Sequence, residues 1–223
     1  MKHITKNHEP ESFTNWKNLK NDDWQPTYSN LQNPEKEKVF ESLLDEQGYI
    51  CCYCERELKN QNYHIEHFKP KDKNKFPELQ LDYDNFLCSC QRNTKHRVRL
   101  HCGNSKDNWF DDRLLVSPLD SNCEAKFIYT ADGHIKPSDS NDSSAVTTIE
   151  KLKLDIDKLV NLRNKAIEPF IDENLNDEDL RNFVNGYLVE KKDNSGKYNE
   201  FFTTIKYLFE NLDMPEQADP IGQ

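Results

Sequence analysis

Six cysteines fall between Cys51 and Cys102, and their spacing restricts the fold more than any other feature of this 223-residue chain. They run as Cys51-Cys52-Tyr53-Cys54, then Cys88-Ser89-Cys90, then His101-Cys102-Gly103-Asn104. The chain opens Met1-Lys2-His3-Ile4 with no apolar run that could direct secretion, and no stretch is long and apolar enough to span a membrane. Reduced thiols in a cytoplasmic setting are expected, and metal ligation rather than disulfides. Two thiolates with a two-residue spacer, joined by two later ones, complete the tetrahedron of a structural zinc site. The expected ligands are Cys51, Cys54, Cys90 and Cys102. Cys52, Cys88 and Cys123 read as small buried apolar residues, although Cys88 and Cys90 share a face with Phe86 if a strand runs that far. No thioredoxin-like βαβ pattern surrounds Cys51 and Cys54, which argues against a redox pair. Charged residues make up 31% of the chain and mean hydropathy is -0.99, so apolar material is scarce and a metal staple is needed more than usual.

Between the thiolate halves lie His64-Ile65-Glu66-His67 and Asp84-Asn85. A carboxylate beside a neutral imidazole suits a hard Mg²⁺-type ion and a water-activating base. His64 and His67 could instead complete a mixed Cys/His zinc site, but four thiolates already saturate a tetrahedron. Asp84-Asn85 taken alone is an ordinary turn signal.

The formal net charge of -10 argues against nucleic acid as a partner, because phosphate binding relies on Lys and Arg. The charge is unevenly distributed, however. From Phe86 to Lys106 the chain has Arg92, Lys95, Arg97, Arg99 and Lys106 with no acidic residue, and Lys69, Lys71, Lys73 and Lys75 follow the Glu-His pair. Acid accumulates in the last third, so a basic surface is expected around the metal motifs.

Three regions are expected. Residues 1–48 hold a polar segment, with Trp16, Trp24 and Tyr28 as anchors, and then a helix that Asn33 caps, Pro34 begins and Gly48 stops. Its apolar stripe is Val39, Phe40, Leu43 and Leu44. Residues 49–137 carry the metal motifs on short elements: a strand over Tyr63–Phe68, a second over Phe86–Cys88 and a helix after Cys102. If the strands pair antiparallel, Glu66 and His67 come near Asn85. Residues 138–223 open with a Ser/Asp-rich linker and continue as helices. Ile149, Leu152, Ile156, Leu159, Val160 and Ile167 keep helical spacing with a fresh cap at Asp155, and helices over Leu180–Val189 and Phe201–Leu212 follow. No GxxxxGK[ST] loop is present.

Cys51-x-x-Cys54, Glu66-His67 with Pro70, Asp84-Asn85, and Cys90 and Cys102 with Lys106 together resemble a zinc-stapled HNH endonuclease of the ββα-metal type. The longer strings His64-Ile-Glu-His-Phe-Lys-Pro70, Leu81-Asp-Tyr-Asp-Asn-Phe86, Ser89-Cys90, His101-Cys102-Gly103 and Ser117-Pro-Leu-Asp120 are similar to the PtuB-like HNH endonucleases of Septu antiphage and retron-associated systems. The resemblance is firmest over residues 49 to 135.

The resemblance implies an α+β fold: a zinc-stapled ββα-metal core with an N-terminal helix and a helical C-terminal extension that docks a partner. It implies His67 as general base, Glu66 as ligand of a catalytic Mg²⁺ or Mn²⁺, and Asn85 as the residue that orients the loop. For the third position of the motif both His101 and Asn104 stay open, with Asn104 preferred as catalytic residue and Mg²⁺ ligand because it lies at the start of the expected helix. Lys106 would contact a scissile-strand phosphate, alongside Lys69, Arg92, Lys95, Arg97 and Arg99 on the DNA. Implied partners are DNA, a PtuA-like ATPase, and a retron reverse transcriptase with its RNA–DNA product. A zinc-stapled nucleic-acid-binding module without catalysis and a zinc-stapled docking platform are the competing classes.

Overall fold

The structure, a computed structural model, describes residues 1–72, 74–92, 99–189 and 196–210. The expected helix end at Leu212 and the basic residues Lys73, Lys95 and Arg97 lie outside them. The fold is α+β, a mixture of helices and two small sheets. No helix among the described residues is long and apolar enough to cross a membrane.

Helix α1 (Glu11–Asn18) and helix α2 (Glu35–Glu46) come first. α2 buries Val39, Leu43 and Leu44, the expected stripe, while Phe40 packs at its edge. Its start differs from expectation. Pro34 occupies the N-cap position and no side chain caps the helix; the amide of Lys36 bonds the Gln32 carbonyl instead. A proline at the cap has no N–H to leave unsatisfied, so the cost of the missing cap is small. α2 ends where expected: Gly48 has φ +56° and lies against the Tyr198 ring, so a Cβ there would be both strained and obstructed.

Buried Gln47 then ties the helix end to the first sheet. Its amide donates to the Ile50 and Cys88 carbonyls and accepts from the Cys88 amide. That sheet pairs strand β1 (Tyr63–His67) antiparallel with strand β2 (Phe86–Cys90), Glu66 opposite Leu87 and His67 opposite Phe86. β2 runs two residues further than expected and is buried throughout. A single-turn helix α3 (Gly103–Lys106) follows and completes a ββα arrangement.

A second hairpin, β3 (Phe127–Tyr129) with β4 (Ile135–Pro137), precedes α4 (Ser143–Leu152) and α5 (Asp157–Ile167). Asp142 caps α4 by accepting from the amides of Ser144 and Ala145. Asp155 does not cap α5, contrary to expectation. The chain turns through Lys153 in the left-handed conformation, Ile156 takes the cap position, and the Asp155 carboxylate bonds His134 Nδ1 and the Ile135 amide. A competing pair of donors on the hairpin takes the carboxylate away from the helix.

The main apolar cluster extends from Met1 to Leu159 and includes the thiols. A smaller one gathers Ile167, Phe170, Val184, Ile205 and Phe209, with Phe170 stacked on Phe183 at 4.4 Å and on Phe209 at 5.2 Å. α6 (Asp177–Tyr187) and α7 (Phe202–Phe209) therefore pack through the end of α5 as well as on each other. α7 also reaches the cysteine turn, where Glu55 accepts from the Thr203 amide at 2.8 Å and pairs with the Met1 ammonium at 2.8 Å.

Candidate active site and metal centre

The turn Cys51–Cys54 is held by the Glu55 amide on the Cys51 carbonyl, and β2 delivers Cys90 beside it. Cys102 arrives from the other side, where its amide bonds the Leu152 carbonyl at the end of α4. The Sγ atoms of Cys51, Cys54, Cys90 and Cys102 all lie within 4.8 Å of one another, and all four residues are buried. The Cys54–Cys90 separation is 3.8 Å, close to the edge of a tetrahedron with Zn–S bonds of about 2.3 Å. The amide of Cys90 donates to Cys51 Sγ at 3.4 Å, as a thiolate requires. Burial opposes ionisation of Cys51 and Cys54, but hydrogen bonds from neighbouring thiols outweigh it, taking Cys51 well below the ordinary thiol range and Cys54 down to about 7. Four buried cysteines are thus positioned to hold a metal ion, and an all-thiolate closed set fits structural zinc. Cys52, Cys88 and Cys123 are buried outside the cluster. Neither His64 nor His67 joins it. His101 does lie against it, with Nδ1 at 3.1 Å from Cys102 Sγ and Nε2 buried without a partner.

The long spacer between Cys90 and Cys102 is fastened at its ends by one side chain. Gln91 donates to the Arg99 carbonyl and accepts from the His101 amide, and its own carbonyl receives the Asn104 amide at 2.5 Å.

β1 and α3 face each other across an open cleft of about 220 Å³ lined by His64, Glu66, His67, Lys71, Gly103 and Asn104, among others. Asn104 lines this cleft and His101 does not. Gly103 is dictated by closeness: a Cβ there would come within 2.3 Å of Glu66 Oε2 and 3.0 Å of His64 Nε2.

Glu66 is buried, and its Oε1 receives the Lys106 ammonium at 3.0 Å and the Tyr53 hydroxyl at 3.1 Å. His64 Nε2 lies 3.6 Å from Oε2. Burial alone would raise the carboxyl, but His64 and the Lys106 charge outweigh it and hold it below the usual range. Oε2 is the atom turned to Gly103 and the cleft. With the Asn104 side chain it supplies the oxygen donors that a hard divalent cation prefers.

His67 is 6% exposed and accommodated by aromatic edges, Tyr28 at 4.5 Å and Phe86 at 4.9 Å between ring centroids. Its Nε2 lies 3.1 Å from the Gln80 carbonyl. Burial is the main reason its pKa falls to about 4, so the ring is neutral at physiological pH. Asn85 ties the connecting loop to the strand end, accepting from the Lys69 amide at 2.8 Å and donating to the Lys69 and Leu79 carbonyls.

The basic residues are placed unequally. Lys69, Arg92 and Arg99 are exposed, and Arg99 pairs with Asp157 at 3.0 Å. Lys106 differs from its expected role. It is 2% exposed, and its ammonium bonds Glu66 and the carbonyls of His67 and Asp107. The single turn of α3 carries it back beneath β1, where it balances the Glu66 charge rather than facing a phosphate. Sequence reasoning missed Tyr28, Tyr53 and this function of Lys106, because each reaches the site from a distant segment through side-chain packing.

No family model matches the chain. In sequence it is 34% identical over 142 residues to the "Retron Vc95 putative HNH endonuclease" of Vibrio cholerae serotype O1 biovar El Tor, a match covering 61% of this chain and 66% of that protein. The matched stretch is therefore just under two thirds of the relative's length. The likeness to HNH endonucleases read from the cysteine, Glu-His and Asn motifs is matched by a retron-associated HNH endonuclease to which this chain is related in sequence.

Proposed function

We propose that the chain is a metal-dependent HNH endonuclease that hydrolyses phosphodiester bonds of DNA. In this reading it is the effector of an antiphage system, working with a PtuA-like ATPase and, in a retron setting, with the reverse transcriptase and its RNA–DNA product.

The observation that carries the reading is the tautomer imposed on His67. The Gln80 carbonyl can only accept, so Nε2 holds the ring proton and Nδ1 is a lone pair. Nδ1 has no hydrogen-bond partner among the described residues, and His67 lines the cleft. Nδ1 takes a proton from water as the water oxygen bonds to phosphorus and the bond to the leaving oxygen breaks. A Mg²⁺ or Mn²⁺ ion held by Glu66 and Asn104 would supply positive charge beside the phosphate and the leaving oxygen. Lys106 and Tyr53 keep Glu66 ionised and oriented for this task. Asn85 fixes the loop on which Gln80 sits near His67. Lys69, Arg92 and Arg99 are available at the surface to meet the strand, with Lys95 and Arg97 of the intervening segment. Zinc at the four thiolates has no open position and serves the fold.

Supercoiled plasmid incubated with the purified chain tests this reading. Conversion to nicked or linear DNA is expected with added Mg²⁺ or Mn²⁺ and not without. DNA that is bound but left intact under every metal condition would favour a zinc-stapled binding module.

A further inference from the structure

The ring of Tyr28 links His67 to two lysines that belong to no motif. Lys71 Nζ lies 4.1 Å from the ring centroid and Lys36 Nζ 5.4 Å, while His67 meets the same ring edge-on. Among the described residues neither ammonium has a carboxylate within ion-pair distance. Other cations nearby are compensated: Lys106 by Glu66, Lys38 by Glu41 and Arg99 by Asp157. Burial and the neighbouring Lys36 charge together hold Lys71 below the ordinary lysine range, so the two charges act on each other. Like charges gathered on one aromatic ring destabilise the chain by itself and favour an anion between them.

The surroundings suit a polymer of phosphates better than a single small anion. Lys71 lines the cleft that contains His67. Lys36 lines a second cleft of about 650 Å³ with Phe40, Tyr63 and Arg92, and with Glu37 and Glu41 from the same helix. Because both ammoniums converge on Tyr28, the two clefts adjoin there. Ring faces for bases and cations for phosphates are the components of a strand-binding groove.

We propose that Lys36 and Lys71, braced on Tyr28, clamp a phosphate of the nucleic-acid strand adjacent to the one presented to His67. This rests on the nuclease reading of the cleft. The clamp contributes affinity and register but no base specificity.

The test is fluorescence anisotropy with a short fluorescein-labelled DNA duplex, and with the RNA duplex of the same sequence, across a salt series without divalent ions. Lys36→Gln/Lys71→Gln should bind more weakly, and the slope of log K against log salt should shrink by about 1.8, or 0.9 for each lysine charge removed from the strand. Lys36→Arg/Lys71→Arg should restore the slope. Should the double Gln variant fail to fold, each single variant should lower the slope by about 0.9. An unchanged slope, or no binding of either duplex by the wild-type chain, overturns the clamp. Because cleavage is not involved, an unchanged slope with plasmid still cut leaves the nuclease reading standing. A diminished slope with no cleavage does the reverse.

Discussion

Replacing Lys106 by Met removes the charge on which Glu66 depends while keeping most of the buried stem. The two side chains are 1% and 7% exposed and 3.0 Å apart. Breaking such a pair by removing one partner costs about 3–5 kcal/mol, because the remaining charge stays buried. Here the Tyr53 hydroxyl remains on Glu66 at 3.1 Å, with His64 at 3.6 Å, which places the cost near the lower end. With a urea m-value of about 2 kcal/mol/M, a loss of about 3 kcal/mol moves the unfolding midpoint by about 1.5 M. Combining Lys106→Met with Glu66→Gln should destabilise by less than the sum of the single changes, since the second removes the charge exposed by the first. Urea unfolding of the four proteins measures this directly. A Lys106→Met variant within about 0.5 kcal/mol of wild type, with a DNA salt slope lowered by about 0.9, would mean that Lys106 contacts phosphate after all and that the Glu66 reasoning is wrong.

Cys54→Ala should leave the protein without bound metal and largely unfolded, because structural zinc can contribute on the order of 10 kcal/mol; metal analysis together with circular dichroism checks this, and a folded, metal-free variant would refute it. His67 gives a pH dependence of stability. Its pKa falls from 6.5 to about 4 on folding, so the unfolded chain binds the proton more tightly, and the contribution present above pH 6.5 is lost as pH falls through 4. Before divalent ions are added, wild type should lose about 3 kcal/mol more than His67→Gln over that interval, acid release of metal from the thiolates being common to both. Parallel curves would contradict the burial argument.

The cysteine positions were legible because zinc demands particular ligands within bonding distance, and spacing alone narrows the choice among seven thiols. Strand pairing was legible from short apolar runs ending at Pro70 and beginning after Asn85. The supports of the site were not. Tyr53 and Lys106 meet on Glu66, and Tyr28 meets His67, only because segments far apart in the chain pack together, and no local period encodes that. Lys106 looked like a surface lysine because nothing in Asn104-Ser105-Lys106 shows that a single helical turn will fold it inward. Asp155 looked like a cap because a cap is the commonest local use of Asp, whereas the β3–β4 hairpin supplied better donors.

The most direct measurement is plasmid nicking by His67→Ala beside wild type in Mg²⁺ or Mn²⁺, with zinc content and melting temperature determined on the same preparations. His67 is proposed to act on water from Nδ1 and takes no part in the thiolate cluster. Cleavage should therefore vanish while one zinc per chain is retained and the protein remains folded. Undiminished cleavage by the variant, or loss of its zinc, would contradict the assignment of His67 as the general base.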